Sequence, residues 1–323
     1  MQKMNFHTHS EYCDGSGKPE EYVQAALRKN FQALGFSGHT PLPFPNNWTM
    51  DEESLPVYLN DVRQLQAKYR DRIEIYLGLE TDYLDEKRNP SSPQVQALNL
   101  DYQIGSIHML QDPGDGRYYS FDGPLDELRH LIQVTFGGSV RKFITAYYRQ
   151  LVRMVEIGGF DIIGHFDLVK KHNREVAFFS EEESWYRRIV EETITAVAES
   201  GLRLEVNTGA MGRGYTSEPY PSPWIIALCA QAGKSAQSGQ SAQADTGIHA
   251  DTSAQSGTSA QAGKSAQSGQ GDREGIPLVI SADAHKPDMI DYAFEEIEAM
   301  LIAAGYRHSW GLVENRWQEV WFD

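Results

Sequence analysis

The chain has 323 residues, with 29 Lys and Arg against 45 Asp and Glu, and carries a formal net charge of −16. Its 40% hydrophobic and 11% aromatic content is ample for a large core and excludes a wholly disordered chain. The acidic balance, without any sustained Lys/Arg run, argues against a nucleic-acid partner held through its phosphates. Two cysteines, Cys13 and Cys229, cannot build a disulfide framework or a four-cysteine zinc site.

The opening MQKMNFHTHSEYCDG lacks an apolar signal-peptide core, and no later run approaches the ~18 apolar residues of a membrane span. The expectation is a soluble, cytoplasmic protein with no membrane partner. A strand is predicted over 4–8, and Pro19-Glu20-Glu21 opens the first helix. Further short apolar runs predict strands at 33–38, 73–80, 101–107, 160–165, 202–207 and 276–281. Between and after them, 51–70, 124–133, 139–158, 181–200, 220–230 and 291–304 carry the i, i+3, i+4 apolar spacing of helices. Ser180 ahead of Glu181-Glu182-Glu183 predicts a capped helix start whose acids complement the helix dipole. Seven strand–helix alternations predict an α/β fold with a parallel sheet. No dinucleotide-type glycine fingerprint follows the first strand, which favours a closed or nearly closed barrel over an open sheet.

One segment stands apart. From Gln231 to about Glu274 the chain is dominated by Ala, Gln, Ser, Gly and Lys, and QAGKSAQSGQ occurs at both 231–240 and 261–270. Such a composition cannot bury enough apolar area to offset its ordering entropy. The expectation is a flexible, disordered insertion between the sixth helix and the seventh strand. Its two Gly-Lys-Ser triplets are not phosphate-binding loops, because Leu228 and Thr258 stand where the leading glycine is required.

The chemistry is concentrated at strand ends. His7 and His9 end the first predicted strand, His39 follows the second, Glu80 ends the third and His108 follows the fourth. His165 ends the fifth, Asn207 the sixth, and Asp283 and His285 follow the seventh. A parallel barrel delivers all its strand C-termini to one face, so six of the ten histidines would meet there with carboxylates. His7-x-His9 and Asp283-x-His285 have the i, i+2 spacing that places both side chains on one side of an extended strand. Histidine with carboxylate suits zinc, manganese or iron.

The set His7-x-His9, Asp14-Gly15, His39, Glu80, Gly105-Ser106-x-His108, Gly164-His165 and Asp283-x-His285 resembles the polymerase and histidinol phosphatase (PHP) family. The stretches GSIHM, DIIGHFDLVKKHN, LEVNTGAMGRG and ISADAHKP are most similar to its histidinol-phosphatase branch. The resemblance covers nearly the whole chain outside 231–274. It implies a single-domain, distorted TIM-like (β/α)7 barrel with three divalent metals. His7, His9, Glu80 and Asp283 would hold the first metal, Glu80 with His108 and His165 the second, and Asp14, His39 and His285 the third. Glu80, His108 and Asp283 would carry the catalytic role. The implied reaction is attack of a metal-bridged hydroxide on L-histidinol phosphate, a step of histidine biosynthesis.

Three further residues are expected to contact substrate: Arg213, favoured as a bidentate phosphate clamp, Lys171, which with Lys170 is the alternative phosphate contact, and Asp122 against the protonated amine. The alternatives are a PHP-type esterase of nucleotides or other small phosphoesters, a non-catalytic metal module, and an amidohydrolase-type deaminase. A connection from a helix to the next strand runs on the barrel face opposite the strand C-termini. Deleting 233–272 should therefore leave turnover largely intact; a large loss of turnover in a folded deletion variant would refute this.

Overall fold

The computed structural model describes residues 2–240 and 275–322. The strands are β1 (Met4–Asn5), β2 (Ala33–Phe36), β3 (Glu74–Asp82), β4 (Tyr102–Ser106), β5 (Met109–Gln111), β6 (Tyr118–Ser120), β7 (Ile162–Ile163), β8 (Arg203–Asn207), β9 (Leu278–Ser281), β10 (His308–Val313) and β11 (Arg316–Trp321). Seven of them form one parallel sheet in the order β1-β2-β3-β4-β7-β8-β9. Beyond the ends of β1 and β9 the sheet closes on itself. Thr8 and Ala284 form a parallel bridge, with His9 N–H donating to Ala284 O at 2.9 Å and Ala284 N–H to His7 O at 3.0 Å. All seven expected strands are present, although β1 and β7 are only two residues long.

The helices follow the expected alternation. Val140–Ile157 shows why: Phe143, Ile144, Tyr147, Tyr148, Leu151, Met154 and Val155 fall on one buried stripe, Ser139 Oγ accepts from Lys142 N–H, and Gly158 at φ 66° ends the helix. The segment predicted at 124–133 is an α-helix over Leu125–His130 that widens into a π-turn over Leu131–Thr135. The helix predicted behind Ser180 begins instead at Ser184. Glu181 points inward to accept from Ser222 Oγ at 2.7 Å and Trp224 Nε1 at 2.6 Å. Buried hydrogen-bond donors outcompeted the helix dipole for that carboxylate. The helix expected to stop at 230 runs over Pro223–Gln240, so the first ten residues of the low-complexity segment are helical. The rest of the expected disordered insertion, 241–274, lies outside the described residues. Among the described residues, no helix is long and apolar enough to cross a membrane.

Two antiparallel hairpins were not expected. β5–β6 follows the C-terminal end of β4. β10–β11 caps the end of the barrel where strands begin: Phe6 meets Trp317 with ring centroids 5.5 Å apart, and Trp317 Nε1 donates to Asp161 at 3.1 Å. The Arg203 guanidinium lies 5.2 Å from the Trp310 ring and 4.3 Å from that of Trp317.

Inside the barrel, Tyr102 fills the space left by two glycines. Its hydroxyl lies 2.6 Å from Phe6 O and 3.0 Å from Phe36 O, linking β4 across to the β1 and β2 ends. A Cβ on Gly78 would come within 2.5 Å of the Tyr102 ring, and one on Gly35 within 2.5 Å of its hydroxyl. The ring cannot retreat without breaking those bonds. Gly78→Ala should cost about 1–3 kcal/mol by overpacking, measured as a lower urea midpoint; an unchanged midpoint would show that the interior can shift to accept a methyl group.

Candidate metal centre

The strand ends converge as expected, and Glu80 stands at their centre. It sits near the end of β3 with 1% of its surface exposed. Its Oε2 is 3.0 Å from His7 Nε2, 3.4 Å from His9 Nε2 and 3.1 Å from His39 Nδ1. Its Oε1 is 2.9 Å from His165 Nε2 and 3.5 Å from His108 Nε2, and accepts from Ser106 Oγ at 2.6 Å. One carboxylate thus faces five imidazoles, three on one oxygen and two on the other. That is the arrangement of a bridging ligand between two cation positions.

Asp283 and Asp14 extend the cluster outward. Asp283 Oδ1 lies 3.2 Å from His9 Nε2, 3.6 Å from His7 Nε2 and 3.5 Å from His285 Nδ1. Asp14 Oδ2 is 3.0 Å from His285 Nε2, while its Oδ1 is 3.5 Å from His9 Nδ1 and 3.8 Å from His39 Nε2. Four overlapping triads have ligand atoms within 4.8 Å of one another: His7/His9/Glu80, His9/Asp14/His39, His9/Asp283/His285 and His39/Glu80/His108. The buried His9 Nε2 and His39 Nδ1 have no hydrogen-bond partner although both face carboxylates. Unpartnered imidazole nitrogens aimed at carboxylate oxygens are what divalent-cation ligands look like, so the residues present fit a metal cluster.

The electrostatics agree. Burial alone would raise the pKa of Glu80, but His7, His39 and His108 outweigh it and hold the group well below the usual carboxylate range. For Asp283 the same penalty is overcome by Arg213 and His7, and for Asp14 by His39 and His285. His39 is pushed down to about 3 by burial and by its neighbour His9, against the pull of Glu80.

Two carboxylates that sequence reasoning missed stand behind the histidines. His7 Nδ1 donates to Glu205 Oε1 at 2.5 Å, and His108 Nδ1 to Asp82 Oδ1 at 2.9 Å. Each bond fixes the tautomer that turns Nε2 towards Glu80. Glu205 also accepts from Ser281 Oγ at 2.7 Å, His165 N–H at 2.8 Å and Asn207 Nδ2 at 3.0 Å. The available signals were a charge inside the apolar β8 run and the i, i+2 relation of Asp82 to Glu80.

The cluster floors a cavity of about 1120 Å³ whose wall includes Trp48, Asp122, Lys171, Arg213 and Tyr220. Arg213 donates to Asp283 Oδ2 at 3.0 Å and to His285 Nδ1 at 2.6 Å, which puts its guanidinium against the cluster. Lys171 and Asp122 meet each other: Lys171 Nζ is 2.5 Å from Asp122 O and 3.4 Å from its Oδ2. Lys171 and His108 overcome the burial penalty and bring the Asp122 carboxyl down to about 2. Lys170 turns away from the cavity to a buried pair with Asp167 at 2.8 Å. Trp48 stands edge-on to His39 and His108, with centroids 4.7 and 5.3 Å away. Cys13 Sγ is 3.4 Å from His9 Nδ1. His130 and His172 bond elsewhere, to Asp112 and Gly123 O, and His308 lies in the β10–β11 hairpin.

Glu205→Ala would leave His7 Nδ1 and the His165 amide without their buried acceptor. The expected loss is about 3–5 kcal/mol, read as a fall in the denaturant midpoint; a wild-type midpoint would mean that the carboxylate is not holding these strands together.

Comparison with known proteins points the same way. A family profile described as the PHP domain matches residues 5–209. A probable histidinol-phosphatase of Deinococcus radiodurans is 30% identical over 230 residues, covering 70% of this chain and 81% of that protein. The histidinol-phosphatase of Bacillus subtilis is 28% identical over 241 residues, covering 70% and 88%. Among solved structures, histidinol phosphate phosphatase from Lactococcus lactis, determined with zinc, L-histidinol and phosphate, superposes with a TM-score of 0.62 at 17% identity, covering 98% of this chain and 99% of that one. That last likeness speaks for the fold alone. With its strand-end clusters of histidine and carboxylate on a seven-stranded barrel, the chain belongs to the PHP family, in its histidinol-phosphatase branch.

Proposed function

We propose that this protein is a metal-dependent phosphomonoesterase that hydrolyses L-histidinol phosphate to L-histidinol and phosphate, a cytoplasmic step of histidine biosynthesis. The observation that carries the reading is Glu80, whose two oxygens divide five imidazoles into two groups. The histidinol-phosphatase relatives supply the substrate. The proposed ligands are His7, His9, Glu80 and Asp283 for one metal, Glu80, His108 and His165 for a second, and Asp14, His39 and His285 for a third, with zinc, manganese or iron as the candidates. When bound, divalent ions in this cluster supply Lewis-acid charge for the phosphoryl group and an activated water at neutral pH.

The chain's own residues do the rest. Glu205 and Asp82 fix the orientation of His7 and His108. Glu80, Asp14 and Asp283 stay ionised because their histidine and arginine neighbours overcome the burial penalty. Arg213, about a third exposed and against Asp283, is the proposed phosphate contact, its guanidinium turning from Asp283 and His285 to phosphoryl oxygens. The Asp122–Lys171 pair presents both signs to the cavity, carboxylate for the substrate's ammonium and ammonium for its phosphate. Trp48 covers His39 and His108 and limits water there.

A second reading is a nucleotide or other small phosphoester as substrate. The cavity lining also includes Phe44 and Tyr118, stacked with centroids 5.6 Å apart, a surface that suits a nucleobase as well as the imidazole of histidinol. Phosphate release from L-histidinol phosphate with manganese or zinc supplied should reach kcat/KM of at least ~10⁴ M⁻¹s⁻¹. Chelation should abolish it and metal restore it, and His108→Ala should lower turnover at least ~100-fold with the circular-dichroism spectrum unchanged. Turnover that survives chelation would refute the metal role, and a preference for nucleotides would select the second reading.

A further inference from the structure

The buried tyrosines of the described residues share one habit: their hydroxyls find partners. Tyr22 donates to Ser16 O, Tyr58 to Gly78 O, Tyr147 to Phe166 O and Tyr306 to Ile276 O, while Tyr148 and Tyr186 bond to each other. Tyr220 is the exception. Its side chain is 2% exposed, and its hydroxyl is buried without a hydrogen-bond partner. A buried hydroxyl left unsatisfied costs about 1–3 kcal/mol, and nothing structural is gained here in return.

Its position is rigid. Tyr220 pairs with Asn207 at the end of β8 through two backbone bonds, Asn207 N–H to Tyr220 O at 2.7 Å and Tyr220 N–H to Asn207 O at 3.0 Å. The Lys170 ammonium, anchored by Asp167, lies 5.5 Å from the ring centroid. The ring lines the same cavity as His165, Arg213 and Asp283, and its phenol lies within electrostatic reach of Arg213 and Asp283. Burial, reinforced by Asp167 and Asp122, raises its pKa above the ordinary tyrosine value. The group is therefore a phenol, able to donate, throughout the working range of the enzyme.

We propose that the Tyr220 hydroxyl is a substrate-contacting donor that works beside Arg213, hydrogen-bonding a non-bridging oxygen of the phosphoryl group. The inference rests on the phosphomonoesterase reading and adds a residue to it. A fixed, unpartnered donor lining the same cavity as a guanidinium matches a tetrahedral oxyanion, which offers only acceptors. The histidinol ammonium offers only donors.

The test is Tyr220→Phe, which removes one oxygen and nothing else. In the metal-loaded protein, kcat/KM should fall about 10- to 100-fold, by the same factor for L-histidinol phosphate and p-nitrophenyl phosphate. Calorimetric affinity for inorganic phosphate should weaken several-fold, while metal content and denaturant midpoint hold. A lowered midpoint with unchanged phosphate affinity would assign the hydroxyl a structural role and overturn the proposal. So would a loss confined to L-histidinol phosphate, which would place the contact on the alcohol portion. If the wild-type protein hydrolyses neither ester, the phosphomonoesterase reading fails, and the phosphate titration still decides whether Tyr220 binds the anion.

Discussion

An ionised carboxylate with 1% of its surface exposed cannot stand alone inside a protein, and Glu80 is that carboxylate. Its charge is tolerated because five imidazoles converge on it. Those imidazoles come from four separate stretches of chain, after β1, β2, β4 and β7, and a parallel barrel brings the C-terminal ends of its strands to one face. Charge compensation at one atom pair therefore constrains the whole topology. The carboxylates behind the imidazoles extend the same logic by one layer. Glu205 joins residues at the ends of β1 and β9 with the start of the loop after β7 through a single buried group.

The two ends of the barrel divide the labour. Where strands begin, the β10–β11 hairpin closes the interior with aromatic and apolar contacts, and Arg203 is held between indoles. Burial there lowers the Arg203 pKa to about 10, against the pull of Asp161. Where strands end, apolar packing gives way to histidine and carboxylate. The closed lower half lets the upper half carry buried charge, because aromatic packing with the Trp317–Asp161 hydrogen bond seals the opposite end.

The seven strands and the metal-ligand candidates were legible because both obey strong local rules: apolar runs at regular spacing, and histidines at their ends. What escaped notice followed weaker ones. The turn of the β10–β11 hairpin is Glu314-Asn315, both at positive φ (51° and 58°), and glutamate is a residue that gives no hairpin warning. β5 and β6 are three residues each, too short for periodicity to register. Glu205 and Asp82 lie within strands already assigned to the core, so their charge read as noise until their partners were in place. Glu181 illustrates the reverse error, a local helix-start signal overridden by partners 41 and 43 residues away.

The seam of the barrel also bears on how the chain is made. The bridge between Thr8 and Ala284 joins two segments far apart along the chain. During translation β1 can pair with β2 early, yet its other edge must wait until β9 has emerged. His7 and His9 meet Asp283 only at that late moment. Closure of the sheet and completion of the candidate metal site are thus one event, so a truncated chain that stops before β9 lacks Asp283 and His285 as well as a closed wall. Such long-range pairing is slow to form, and it couples quality control to chemistry: the strand that closes the sheet also completes the candidate metal site.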